Sequence, residues 1–222
     1  MANPTVLYHT DQAARTRQEI LRIAMDIASA EGLDGLSIGR LATELQMSKT
    51  GIFAHFGSKE QLQLATVDAA KQVFVEQIVN PALKDPRGRG KDRLLAMLEH
   101  WIGYVERIVF RGGCFFAAAS AEFDSRPGLI RDQIAELTKA WLVALQEEIA
   151  FARSSRQFQS SVDPAQLAFE LHAFVQEANW AFKLFNDKSA FSRARQAIAT
   201  SIASVSRKPG FKSPHEGRSK TK

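Results

Sequence analysis

The sequence predicts an all-α protein: an N-terminal three-helix domain containing a helix-turn-helix, followed by a larger helical bundle, about nine helices in total. Three observations lead there. Apolar residues recur at steps of three and four through almost the whole chain, and no segment alternates with the period of a strand. Between Ser37 and Lys59, two short apolar stripes are separated by a tight turn. Length and composition agree, because 222 residues with 45% hydrophobic and 24% charged side chains suffice for a real core.

The first helix is expected from about Asp11 to Ala30, with Ile20, Ile23, Ala24, Ile27 and Ala28 on one stripe. Gly32 and Gly35 end it, and Leu33 and Leu36 plug the core of the N-terminal unit. Ile38, Leu41, Ala42 and Leu45 then give a short helix one buried face, broken by Gln46 and Met47. Ser48 suits the N-cap of a second short helix, whose Ile52, Phe53 and Phe56 are expected to face inward. Its exposed positions are Lys49, Thr50, Gly51 and His55, which are small or donate hydrogen bonds. A short helix of that kind can enter a major groove.

Ser58, with Gln61 three residues on, forms a capping-box pattern for a long helix through Leu62, Ala65, Ala69, Val73 and Phe74, ending at Pro81. Lys84 to Lys91 reads as a solvated loop. Leu94 to Val109 follows as a helix, with Leu98, Trp101, Ile102 and Val105 on its apolar face. Gly112 and Gly113 interrupt before a helix from Cys114 to Phe123. The next helix starts at Pro127, a first-turn residue, and carries Ile134, Leu137, Trp141, Leu145 and Ile149. Asp163-Pro164 caps a helix to about Phe185, and Phe191 to Val205 forms the last. These two final helices need covering on more than one side, which a single chain could supply; pairing with a second copy through residues 163–187 and 190–206 would instead make an intermolecular four-helix bundle.

The segment from Ser48 to Glu60, SKTGIFAHFGSKE, resembles the DNA-binding signature of the tetracycline-repressor (TetR/AcrR) family of bacterial regulators. The likeness is specific from Ala13 to roughly Val73 and weaker around GGCFFAAASAEF and LAFELHAFVQEANWAF. It implies a helix-turn-helix domain of three helices ahead of a variable helical domain that binds a ligand and dimerises. Gln46 stands where the family usually has Gly in the turn, so a residue with a Cβ would take an unfavourable backbone conformation. Thr50-Gly51 reverses the commoner order, and Phe53 replaces a frequent Tyr.

The DNA-facing set is then Ser37, Arg40, Thr43, Ser48, Lys49, Thr50, Gly51, Phe53, His55 and Lys59. Lys49 is the candidate for a guanine edge, because a long donor suits O6 and N7. Thr50 can touch a thymine methyl. Lys59, in the first turn of the long helix, is a phosphate candidate, alongside His55, which the resemblance also marks as a phosphate contact. Arg40 and Thr43 would bind backbone phosphates, although Glu44, four residues from Arg40, offers an ion pair instead. The net charge of +5 adds little to this reading: the tail from Arg207 to Lys222 carries all of it, and the preceding body balances 23 basic against 23 acidic residues. Three units are expected: 1–57 for DNA, 58–206 for ligand and dimer, and a disordered basic tail at 207–222.

For the ligand, Trp101, Tyr104, Phe115, Phe116, Phe123, Phe174 and Trp180, with His172, Gln176 and Asn179 between them, suit an apolar pocket with a few orienting groups. The implied effector is a small, mostly hydrophobic molecule. Cys114 is the only cysteine, which fits a reducing cytoplasm and leaves open an electrophile or redox sensor near a helix start. No signal peptide, membrane-length apolar run, metal spacing, P-loop or nucleophile elbow is present, so neither enzyme activity, cofactor nor metal is expected. The reading is a homodimeric, ligand-responsive DNA-binding regulator, most simply a repressor of a palindromic operator. Its rival is an all-helical ligand-binding protein whose N-terminal helices no longer read DNA.

Overall fold

Helix periodicity is realised throughout the computed structural model, which describes residues 4–207, with side chains described from Gln12 onward. The expected basic tail lies outside the described residues apart from Arg207. Helix α1 spans Pro4–Glu31, starting well before Asp11. Proline at its head fits, because the first turn needs no backbone donor there. Ile20, Ala24 and Ile27 of α1 are fully buried with Leu33 and Leu36, the two plugs after the helix. Each of the isoleucines and leucines contributes roughly 1.5–3 kcal/mol by leaving water.

Three serines start the next three helices. Ser37 caps α2 (Ile38–Glu44), its hydroxyl accepting from the Arg40 amide at 3.1 Å. Ser48 caps α3 (Lys49–Phe56), accepting from Gly51 at 3.0 Å, and Ser58 caps α4 (Lys59–Phe74), accepting from Gln61 at 3.1 Å. Between α2 and α3, Gln46 takes φ +53°, the left-handed conformation that its Cβ opposes.

Pro81 does not stop the fourth helix. A π-helical turn at Val75–Val79 follows α4, and Pro81 sits in the first turn of α5 (Asn80–Leu83). The π turn restarts the hydrogen-bond ladder, so proline occupies a position where no N–H is required. The three pieces run on as one continuous helix, the backbone staying helical across both junctions. Counted so, the described residues hold nine helices and, beyond one isolated bridge between Phe158 and Ser206, no strand.

Helix α6 (Lys91–Glu106) ends before Val109, because Ile108 adopts φ +54° and breaks the ladder. The loop before it is anchored rather than free. Buried Glu148 accepts from the Gly90 amide at 2.7 Å and from Arg89 at 3.1 Å. Helix α7 (Phe115–Phe123) has Cys114 at its N-cap. Helix α8 (Leu129–Ser154) begins after Gly128, whose φ of 143° no helix accommodates, so Pro127 stays outside. Asp163 caps α9 (Pro164–Phe185), its carboxylate accepting from Ala165 at 2.9 Å, and α10 (Ser189–Val205) packs along α9. Helix α1 packs on α4 and α7, which joins the N-terminal unit to the bundle.

A candidate nucleic-acid interface and an apolar cavity

The geometry of α3 follows from its capping and its one buried edge. Eight residues rise about 12 Å, close to the width of a B-DNA major groove. Ile52 and Phe56, one turn apart, face the core. Phe53 does not face inward as expected: it is 51% exposed, because the edge of so short a helix is filled by the Ile52–Phe56 pair. Lys49, Thr50 and Phe53 therefore share the outer surface, while Gly51 and His55 are half-buried. The Lys49 stem lies across Gly39 of α2, where an added Cβ would be 3.5 Å from its Cε. Thr43 is exposed and its hydroxyl donates to the Gly39 carbonyl at 3.1 Å.

The two proposed phosphate cations have protein partners. Lys59 donates to the Asp34 carboxylate at 2.9 Å and to the Asp34 carbonyl at 2.6 Å. Arg126 reaches the same carboxylate at 3.2 Å, and Lys59 beside it holds the Asp34 carboxyl below the usual range. Arg40 pairs with Glu44 at 2.6 Å and Glu31 at 3.2 Å. These pairs are largely solvated and screened by water, so little is lost when phosphate takes their place. Asp34 and Glu31 carried no sequence signal, since their partners are 25 and 9 residues away.

The second feature is a cavity of about 250 Å³ inside the C-terminal helices. The end of α4 and the π turn supply Lys71, Phe74, Val75 and Val79. Phe116, Ala117 and Ser120 of α7 form another wall with Cys114, and α8 contributes Leu137, Thr138, Ala140, Trp141 and Ala144. Trp101 of α6, with His172 and Gln176 of α9, closes it. Phe74 stands among four aromatic rings, with Trp141 at 5.0 Å, Phe116 at 5.9 Å, Tyr104 at 6.1 Å and Trp101 at 6.5 Å between centroids.

Of the expected pocket residues, Trp101, Phe116, His172 and Gln176 line this cavity. The others do not. Tyr104 and Phe115 are packed in the core, where burial pushes the Tyr104 phenol up. Phe123 is also buried and Phe174 half-buried, neither reaching the cavity. Buried Asn179 accepts the Cys114 amide at 2.9 Å and so caps α7. Trp180 is half-exposed on the outer face of α9. Phe74 and Trp141 lay on recognisable apolar stripes, but periodicity cannot separate core from cavity wall. Burial holds the His172 imidazole below its usual pKa. It pushes the Cys114 thiol up, although Ala117, Trp101 and Phe116 draw it down, and this opposes a reactive thiolate.

The cavity and the α3 surface are linked twice. Helix α4 carries Lys59 at its start and Phe74 at its end, about 22 Å apart. The turn before α7 is the second link: Arg111 pairs with Asp26 of α1 through its amide at 2.9 Å and its Nε at 2.5 Å, and the Gly112 amide donates to Ser29 Oγ at 3.0 Å. From α9, Lys183 donates to the Arg111 carbonyl. Further along α7, the Glu122 carboxylate accepts the Leu33 and Asp34 amides at 2.6 and 2.8 Å.

Residues 20–66 match the family model of tetR-family bacterial regulatory proteins, and residues 90–198 match that of the tetracyclin repressor-like C-terminal domain. Together they take in more than half of the chain, and the arrangement of helices is the same. The chain belongs to the TetR family of transcriptional regulators. It is a transcriptional regulator with a DNA-binding domain. Among characterised relatives, it is 29% identical over 73 residues to the HTH-type transcriptional regulator TcmR of Streptomyces glaucescens, covering 32% of each chain. It is 28% identical over 97 residues to the HTH-type transcriptional repressor NicS of Pseudomonas putida, covering 43% of this chain and 46% of that one. These matches thus span less than half of either relative. A TetR regulator from Chloroflexus aurantiacus superposes with a TM-score of 0.82 at 23% identity, over 89% of this chain and 98% of that one. Among the described residues, no helix is long and apolar enough to cross a membrane.

Proposed function

We propose that this TetR-family chain is a homodimeric repressor, cytoplasmic and without enzyme activity, that leaves a palindromic operator when a small apolar effector enters the cavity. Residues 1–57 would hold DNA and 58–206 the effector and the dimer contact. The observation that carries the reading is α4, one helix with a candidate phosphate ligand at its first residue and a cavity wall at its last. A shift of Phe74 to admit an effector would be transmitted to Lys59 and to α3. Coupling of about 1–3 kcal/mol between the two sites is enough for a regulator.

For dimerisation, Phe169, Trp180 and Leu184 lie along one face of α9 and are 68%, 50% and 61% exposed. An apolar stripe of this size is normally covered, and a two-fold pairing of α9 and α10 covers it symmetrically. Two α3 helices would then meet half-sites about 34 Å apart. Lys49, Thr50 and Phe53 would face base edges, with Ser37, Arg40, Thr43, Ser48, Gly51, His55 and Lys59 near backbone phosphates.

The test is fluorescence anisotropy of the full chain on DNA from upstream of its own gene, against scrambled competitor. Lys49→Ala with Lys59→Ala should weaken specific binding by roughly a hundredfold. Light scattering should report an unchanged dimer. Equal affinity for specific and scrambled DNA would favour the rival, a ligand-binding protein that does not read sequence.

A further inference from the structure

We propose that the cavity takes a small aromatic carboxylate: one or two fused rings, the anionic end held by the indole N–H groups of Trp101 and Trp141 and the Lys71 ammonium, and a ring hydroxyl donating to Gln176 Oε1. The proposal rests on reading the cavity as the effector site and specifies what that site recognises.

The argument starts from unpartnered polar atoms. Six buried side-chain nitrogen or oxygen atoms among the described residues lack a hydrogen-bond partner. Three of them, Trp101 Nε1, Trp141 Nε1 and Gln176 Oε1, belong to residues lining this one cavity. Buried groups of this kind are nearly always satisfied, so three exceptions on residues around one cavity mark where a partner arrives. Trp101 is only 2% exposed and Trp141 only 8%, which leaves water little access to either indole. The Trp101 N–H faces the Cys114 sulfur, a weak acceptor whose thiol it draws down, and has no oxygen or nitrogen partner.

The two rings pack edge to face with centroids 5.6 Å apart, so the two indoles adjoin in the cavity lining. Phe74 and Phe116 fill neighbouring wall with rings that have no donor. Shape alone therefore does not call for indoles at positions 101 and 141, whereas two N–H groups do suit an acceptor with two oxygens.

Charge gives the sign. Lys71 lines the cavity and makes no ion pair among the described residues, and no Asp or Glu lines it. His172, held neutral by burial, adds no competing charge, and its ring lies 5.1 Å from Trp101. In an apolar setting, a single ammonium with two neutral donors favours an anion over a neutral acceptor. A volume of about 250 Å³ limits the apolar body to one or two rings.

Isothermal titration of the full-length dimer tests this with two acids, 4-hydroxybenzoate and 6-hydroxy-2-naphthoate, each against its methyl ester, and with indole as a neutral probe. At least one acid should bind roughly tenfold or more tighter than its ester. Trp101→Phe, Trp141→Phe and Lys71→Met should each weaken that acid by roughly tenfold while changing the ester less than about twofold. Thermal unfolding of each variant separates this from a damaged fold. Equal binding of acid and ester overturns the carboxylate and leaves the effector site standing, as does binding of indole alone. If no probe binds, both readings fall.

Discussion

The α3 surface and the cavity wall treat polar groups in opposite ways. At the surface, the polar groups nearest the proposed backbone contacts already have partners: Ser37 and Ser48 hold helix-starting amides, Thr43 the Gly39 carbonyl, Arg40 two glutamates and Lys59 Asp34, while Lys49 and Thr50 stand in water and His55 is half-buried. At the wall, two indole N–H groups and one amide oxygen have none. A surface in water can satisfy its groups internally and exchange them at little cost, because water is always the alternative. An apolar cavity offers little such alternative, so its unpaired groups carry information about what enters. On the proposed reading, phosphate binding at Arg40 and Lys59 would be an exchange of partners, and effector binding the supply of missing ones.

This contrast matters for regulation only if the two regions are mechanically joined, and Gly112 is the place to break it. A Cβ there would overlap the Ser29 carbonyl of α1. Gly112→Ala should cost on the order of 3 kcal/mol, measured by denaturant unfolding, because backbone rather than a flexible side chain must move. A loss below about 1 kcal/mol would mean that α1 and the turn separate freely.

A smaller effect sharpens the cavity side. His172 has a lowered pKa in the fold through burial, so below about pH 6.5 the unfolded chain binds more protons than the folded one. Stability should therefore fall as pH drops through that value. Between about pH 7.5 and pH 5.5, His172→Gln should lose less stability than the parent, read by thermal unfolding at each pH. Identical pH profiles would place the imidazole in contact with water.

The smallest effect belongs to the N-terminal side. Gln46 holds a left-handed backbone, which costs an L-residue about 1–2 kcal/mol, partly offset by the greater flexibility that glycine brings to the unfolded chain. Gln46→Gly should raise stability by about 0.5 kcal/mol and leave operator affinity unchanged. Destabilisation instead would show that the glutamine side chain contributes to the turn.

Local signals were the ones that could be read in advance. Ser48, Ser58 and Asp163 act within three residues of themselves, and each starts the helix its position implies. The left-handed turn at Gln46 was legible only through the resemblance, which places a glycine there. Boundaries failed where a neighbour's conformation intervened: Pro81 lies inside a helix because a π turn precedes it, and Pro127 lies outside one because Gly128 cannot be helical. Phe53 was assigned to the core by apolar character alone, yet an eight-residue helix has room for only Ile52 and Phe56 on its buried edge.

Periodicity, capping residues and one thirteen-residue segment were enough to specify an all-helical regulator with a helix-turn-helix, because helices and their ends are encoded by contacts a few positions apart. Which aromatics surround space and which fill it depended on how five separate helical segments pack. Phe74 and Trp141 came to the cavity, Trp180 went to the outer face of α9, and Asn179 became the cap of α7. Those outcomes join residues scores of positions apart, and the same apolar stripe serves a core, a cavity or an interface until its neighbours are in place.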